Sequence, residues 1–72
     1  MPVIQVALTP GRSAEQKRDL ITSLTRETVR SLGCAQSSVQ IVLLEVGLDD
    51  WGSGGLTLAE KRAGSAPPKA TS

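Results

Sequence analysis

Between positions 3 and 46 the chain has two mostly apolar runs, separated by a segment in which apolar residues recur at helical spacing. Residues Val3–Leu8 are apolar and rich in β-branched side chains, which predicts a β-strand. Across Ala14–Leu32 the apolar residues recur at helical spacing, which predicts an α-helix. A nearly continuous apolar run over residues 39–46 predicts a second strand. Such a run is typical of a strand that is covered on both faces, as in a parallel sheet.

Both ends of the predicted helix carry residues that favour helix termination. Ser13 and Gln16 form a capping-box pattern, in which the hydroxyl of Ser13 accepts a hydrogen bond from the backbone N–H of Gln16. Glu15 lies in the first turn and Arg30 near the last turn, and both complement the helix dipole. Gly33 follows as a C-terminal stop. The sequence therefore predicts a helix with defined ends.

Strand, helix and strand in this order predict a βαβ unit of the α/β class, with two parallel strands and a right-handed crossover. Two strands and one helix leave one face of the sheet uncovered. We therefore expect a second copy of the chain to complete the sheet and cover it. Beyond the unit, residues 49–55 predict a turn or a small hairpin, and residues 56–62 a short strand or a helical turn.

The expected domain spans residues 1–62, and residues 63–72 predict a flexible tail because they are rich in Gly, Ser, Ala, Pro and Thr. A domain of 72 residues is small enough to be only marginally stable alone. Its single cysteine, Cys34, cannot form an internal disulfide, and the chain has no histidine, phenylalanine or tyrosine. Oligomerisation is the remaining route to stability.

Charge and hydropathy exclude several classes of partner. The net charge is +1, without the basic face that nucleic-acid binding requires. The apolar runs are too short to span a bilayer, and the first residues lack the pattern of a signal peptide. We therefore expect a cytoplasmic protein without nucleic-acid or membrane partners.

The absence of histidine also narrows the possible chemistry. It excludes a Ser-His or Cys-His nucleophile pair and a plausible zinc set, so we expect no metal. Cys34 is expected to be a plain small residue, because no cationic residue adjoins it in sequence. The remaining unusual group is Pro2, since an initiator Met before Pro is normally cleaved and leaves a free secondary amine.

Several segments together carry a family resemblance. The chain resembles 4-oxalocrotonate tautomerase and its relatives from residue 2 to about residue 62, in residues 2–5 (PVIQ), 11–17 (GRSAEQK), 31–33 (SLG), 39–45 and 51–55 (WGSGG). The resemblance implies a βαβ protomer that pairs into dimers, three of which form a hexamer. It also implies that the substrate is a small enol or unsaturated 2-oxo acid. The enzyme would move a proton from one atom of this substrate to another without a cofactor.

The same resemblance assigns roles to four residues. Pro2 falls on the catalytic base of the family. Arg12 falls on the arginine that binds a substrate carboxylate, and Trp51 on an aromatic residue that lines the site from a neighbouring subunit. Gln40 stands where the family has a second arginine, so a substrate with one anionic group, or a neutral carbonyl held by Gln40, fits better than a dicarboxylate.

Two alternatives remain open at this stage. Some relatives use the protonated proline as an acid in hydration or dehalogenation, and Pro2 has the same potential. The loss of the second arginine at Gln40 also allows a weakly active subunit that assembles with a different, active chain. The principal expectation is a homohexameric isomerase.

Overall fold

The computed structural model describes residues 1–64 of the chain, which form a small α/β unit followed by a hairpin and a short helix. Of the predicted tail, Ala63 and Gly64 belong to this last helix and residues 65–72 lie outside the described part. One-turn 3-10 helices precede the second and third strands. In chain order the elements are β1 (Val3–Leu8), α1 (Ala14–Leu32), β2 (Gln40–Glu45), β3 (Gly52–Ser53), β4 (Leu56–Thr57) and α2 (Leu58–Gly64).

β1 and β2 form a parallel pair, with α1 as the connection between them. The register runs from Val3 opposite Gln40 to Leu8 opposite Glu45. This arrangement confirms the predicted βαβ unit and the α/β class. The bounds of β1 and α1 are those that the hydrophobic pattern predicted.

β2 is one residue shorter at each end than the predicted strand over residues 39–46. At its start, the backbone nitrogen of Val39 donates to the carbonyl of Gln36, 3.2 Å away, and so closes the preceding 3-10 turn. At its end, the backbone nitrogen of Val46 still donates to the carbonyl of Leu8 at 2.8 Å. The hydrophobic run therefore extends one residue beyond the strand on each side. Val39 and Val46 form backbone hydrogen bonds but are not part of β2.

The ends of α1 have the predicted caps. The Ser13 hydroxyl accepts from the backbone nitrogen of Gln16 at 3.1 Å, and the Gln16 side chain accepts from the backbone nitrogen of Ser13 at 3.0 Å. At the other end, Gly33 adopts a left-handed conformation with φ 69° and donates to the carbonyl of Val29 at 2.9 Å. These bonds satisfy backbone groups that a helix end leaves without partners.

One face of the two-stranded sheet packs against α1, and the other is open in the protomer. Ile4, Val6 and Leu43 point to the helix side and are half-buried. Val3 and Leu44 point to the opposite side, where they are 55% and 45% exposed. Within residues 1–64 no side chain is fully buried. A sheet this small with an apolar open face indicates completion by another copy, as the sequence predicted.

The segment after β2 is a hairpin followed by a helix. β3 and β4 pair in antiparallel fashion around Gly54 and Gly55, whose φ values of 66° and 93° fit a tight hairpin turn. A second capping box starts α2, because Thr57 Oγ1 accepts from the backbone nitrogen of Glu60 at 3.0 Å and Glu60 Oε1 accepts from that of Thr57 at 2.9 Å. Residues 56–62 thus contain both elements that the sequence allowed, a short strand and a helix.

Candidate active site

Pro2 lies directly before β1, at the edge where both long strands begin. Its carbonyl oxygen accepts a hydrogen bond from the backbone nitrogen of Gln40, 3.0 Å away. Proline has no N–H to donate, so a position just ahead of a strand does not interrupt the ladder. Met1 in front of it is 78% exposed, whereas Pro2 is half-buried. The Met1–Pro2 peptide bond, whose cleavage would free the proline nitrogen, therefore lies next to the exposed Met1 side chain.

Gln40 is the first residue of β2 and lies opposite Val3 in the register. Paired residues of a sheet point to the same face, so both side chains are on the face that α1 leaves open. Both are exposed in the protomer. The structure thus brings two of the four predicted site residues, Pro2 and Gln40, to the same end of the sheet.

Arg12 lies at the opposite end of β1, in the turn that leads into α1. Its Nη1 donates to the carbonyl oxygen of Thr9 at 3.0 Å and to the Thr9 hydroxyl at 3.2 Å. β1 has six residues, and a strand rises about 3.3 Å per residue, so roughly 20 Å separates its two ends. Within one protomer, Arg12 therefore does not meet Pro2.

A shallow groove surrounds Arg12 at this end of the sheet. It has a volume of about 190 Å³ and is lined by Leu8, Arg12, Gln16, Lys17 and Leu20. Lys17 Nζ lies 2.6 Å from Glu45 Oε2, in an ion pair that joins the first turn of α1 to the end of β2. No local pattern in the sequence indicates this pair. Only the parallel pairing of the strands brings its two residues together.

Trp51 leaves the sheet beyond the end of β2. It follows the 3-10 turn Leu48–Asp50, and its carbonyl oxygen accepts a hydrogen bond from the backbone nitrogen of Leu58 at 2.9 Å. This bond fixes Trp51 at the base of the hairpin, where it is half-buried. The candidate residues of one chain are therefore divided, with Pro2 and Gln40 at the start of the strands and Arg12 and Trp51 in the segments that follow their ends.

Two other classes of site are absent from the described part of the chain. Residues 1–64 contain no group of three or more His, Cys, Asp or Glu side chains that could hold a metal ion. In the same residues, no helix combines the length and apolarity needed to cross a membrane. Cys34 is half-buried as a free thiol. The candidate site residues remain the four that the family resemblance predicts, Pro2, Gln40, Arg12 and Trp51.

Comparison with known proteins identifies the family. The model for the tautomerase enzyme family matches residues 2–61, so its match begins at Pro2. The chain is 42% identical to a probable tautomerase of Ralstonia nicotianae over 69 residues, covering 96% of this chain and 94% of the relative. It is 33% identical to a 2-hydroxymuconate tautomerase of Comamonas testosteroni over 60 residues, covering 83% of this chain and 95% of the relative. The chain belongs to the tautomerase family and is an isomerase.

Solved structures show the same fold. The protomer is similar to a 4-oxalocrotonate tautomerase isozyme of Methylibium petroleiphilum with a TM-score of 0.84 and 35% identity, covering 88% of this chain and 98% of that one. It is also similar to a chain of the heterohexameric 4-oxalocrotonate tautomerase of Chloroflexus aurantiacus, with a TM-score of 0.78 and 28% identity over 83% of this chain and 97% of that one. These similarities confirm the resemblance that the sequence motifs indicated.

Proposed function

We propose that this chain moves a proton within a small enol or unsaturated 2-oxo acid, with the freed amino group of Pro2 as general base. The observation that carries the proposal is the position of Pro2 directly before β1, where its carbonyl is hydrogen-bonded to Gln40 and where the family match begins. The family membership supplies the class of reaction. The residues around Pro2 supply the reasons for assigning the base to it.

The base requires removal of Met1. While Met1 is attached, the Pro2 nitrogen is an amide whose lone pair is delocalised and does not accept a proton. Once Met1 is removed, the nitrogen is a secondary amine. An α-amine has a pKa of about 7.7–8.0, and both burial and a nearby guanidinium lower the pKa of an amine. A base with a pKa near the working pH transfers protons efficiently.

A second copy of the chain would supply the missing cation. A two-fold axis perpendicular to β1 pairs two copies with their β1 strands antiparallel. The start of β1 in one copy then lies beside the end of β1 in the other. This arrangement brings Arg12 of the second copy toward Pro2 of the first, although about 20 Å separates the two ends of β1 within a chain. It also completes the open sheet.

The proposed reaction needs no atom beyond substrate and protein. The neutral Pro2 nitrogen accepts the proton of the enol hydroxyl, and the C–O bond becomes a carbonyl as the double bonds shift. The protonated nitrogen then returns the proton to carbon. Arg12 of the second copy holds the substrate carboxylate, and Gln40 donates a hydrogen bond to the oxygen on which negative charge develops. Trp51 excludes water from the site.

Assembly and location follow from the same proposal. We propose a homohexamer of three dimers, which acts on a small molecule in the cytoplasm without a cofactor or metal. One structural neighbour is a heterohexamer, so the competing proposal is a weakly active subunit that requires a different chain. Activity of the purified chain alone separates the two proposals, because the competing one predicts ketonisation no faster than in buffer.

The direct test is the ketonisation of phenylenolpyruvate or 2-hydroxymuconate, followed in the ultraviolet. Pro2→Ala keeps a terminal amine but loses the secondary nitrogen and its fixed geometry, so we expect kcat/KM to fall by about 10- to 100-fold. Ser23→Ala, an exposed substitution on α1, is the matched control and should leave the rate unchanged. An unchanged rate in Pro2→Ala would exclude the base role.

A further inference from the structure

Charged residues are distributed unevenly between the two ends of the sheet. Residues 1–11 and 33–44 contain no Asp, Glu, Lys or Arg. These two segments include all of β1, the turn before β2 and all of β2 except Glu45. The end of the sheet where Pro2 and Gln40 lie is therefore built from uncharged side chains.

The helix brings two arginines toward this end, and neither lies on the open face. α1 runs back toward the start of the strands, and its last turn carries Arg30. Arg30 Nη2 lies 2.8 Å from Glu27 Oε1, so its charge is compensated within the helix. Arg26 lines a groove of α1 together with Gln36 of the 3-10 turn, on the helix side of the sheet.

Among residues 1–64, no charged residue belongs to the strand ends that form the open face at the same end. The residue opposite Gln40 there is Val3, which is apolar. Gln40 is a hydrogen-bond donor and acceptor without charge. Apart from the amine of Pro2 itself, the groups that the described strands place on the open face beside Pro2 are neutral.

The other end of the sheet is different. Lys17 is paired with Glu45 there, and its charge is compensated. The hydrogen bonds of Arg12 in the described chain go to Thr9, a neutral residue, so its positive charge stays available for an anion. The groove around Arg12 is accordingly a place where the described chain offers a cation that is not paired with a carboxylate.

From this charge distribution we propose that the site is selective for substrates with a single anionic group. The anion binds Arg12 of the second copy, and the reacting carbonyl or enol oxygen and the neutral remainder of the substrate lie at the Pro2 and Gln40 end. This proposal rests on the proposed function and names its substrate class. A second carboxylate at the Gln40 end would lose its water without gaining a cation.

Binding of unreactive analogues tests the selectivity. trans-Cinnamate carries one carboxylate and trans,trans-muconate carries two, and their inhibition constants are measured as competitors of phenylenolpyruvate ketonisation. We expect cinnamate to bind more tightly than muconate to the natural chain. Gln40→Arg supplies a cation at the neutral end and should improve muconate binding relative to cinnamate by about 5- to 30-fold, the difference between a charge-assisted and a neutral hydrogen bond.

The matched control is Ser37→Arg. Ser37 is exposed in the 3-10 turn just ahead of β2, so this variant adds the same charge at the same end but three positions away from Gln40. It should leave the ratio of the two inhibition constants within about twofold, because solvent screens an exposed charge. The inhibition constants of the natural chain decide the question even if Gln40→Arg fails to fold.

Tighter binding of muconate than cinnamate by the natural chain would overturn the proposal. An equal change of the ratio in Gln40→Arg and Ser37→Arg would do the same. Loss of the Pro2 dependence of ketonisation would contradict the proposed function. If muconate binds more tightly than cinnamate while ketonisation still depends on Pro2, only the substrate class is contradicted. The two failures are therefore distinguishable.

Discussion

The carbonyl oxygen of Pro2 accepts a hydrogen bond from the backbone nitrogen of Gln40, 3.0 Å away. This bond joins the residue directly before β1 to the first residue of β2, and it fixes the proposed base beside an uncharged hydrogen-bond donor. Arg12 lies at the far end of the same strand, where it bonds to Thr9. The proposed site therefore requires two copies of the chain.

Mixing two defective variants tests this division of the site. Pro2→Ala and Arg12→Ala homo-oligomers should each be weakly active. After joint unfolding and refolding, half of the pairs contain one chain of each kind, and each mixed pair holds one intact site of two. Activity should rise to about a quarter of the natural value. If mixing restores no activity, Pro2 and Arg12 do not act across a subunit boundary.

A charge on the open sheet face should weaken assembly. Leu44 is 45% exposed in the protomer and points away from α1. Leu44→Lys places an ammonium group on a face that we expect to be buried against another copy, and an unpaired buried charge is strongly unfavourable. Sedimentation velocity should show smaller species than for the natural chain at equal concentration.

The control for assembly is Ser23→Lys on the exposed side of α1. It adds the same charge to a part of α1 that neither faces the sheet nor lines the groove formed by Ile21 and Val29. An unchanged sedimentation coefficient in Leu44→Lys would show that this face is not part of the interface.

The cap of α1 should contribute measurably to stability. Ser13→Ala removes the hydroxyl that accepts from the backbone nitrogen of Gln16, and loss of such a cap costs about 1 kcal/mol of the free energy of unfolding. Urea unfolding at a fixed chain concentration measures the change, because assembly contributes to stability. Ser23→Ala inside the helix should cost nothing, since alanine is the better helix former. Equal stability of Ser13→Ala and the natural chain would exclude the contribution of the cap.

Local sequence patterns are sufficient to predict the βαβ unit. Hydrophobic periodicity determines the bounds of β1 and α1, and the capping box at Ser13 and the left-handed Gly33 define the ends of the helix. The capping box formed by Thr57 and Glu60 has the same spacing of a hydroxyl and an acidic residue, and it marks the start of α2. A segment as short as residues 56–62 suits a strand and a helical turn equally well, and the structure contains both.

The contacts between distant residues are not predictable in this way. Lys17 and Glu45 form an ion pair only because the register of β1 and β2 aligns the end of β2 with the start of α1. The separation of Arg12 from Pro2, by contrast, follows from the predicted strand, since the six residues of β1 hold them apart. The family resemblance named both residues, and the geometry of the protomer adds that one chain does not bring them together.

The most direct test compares the same chain with a blocked and with a free Pro2 nitrogen. The chain is prepared with Met1 retained, a methionine aminopeptidase then removes it, and intact mass verifies both forms. We predict that phenylenolpyruvate ketonisation rises by about 100-fold or more on cleavage, the range that general base catalysis supplies. Equal rates before and after cleavage would contradict the assignment of the base to Pro2.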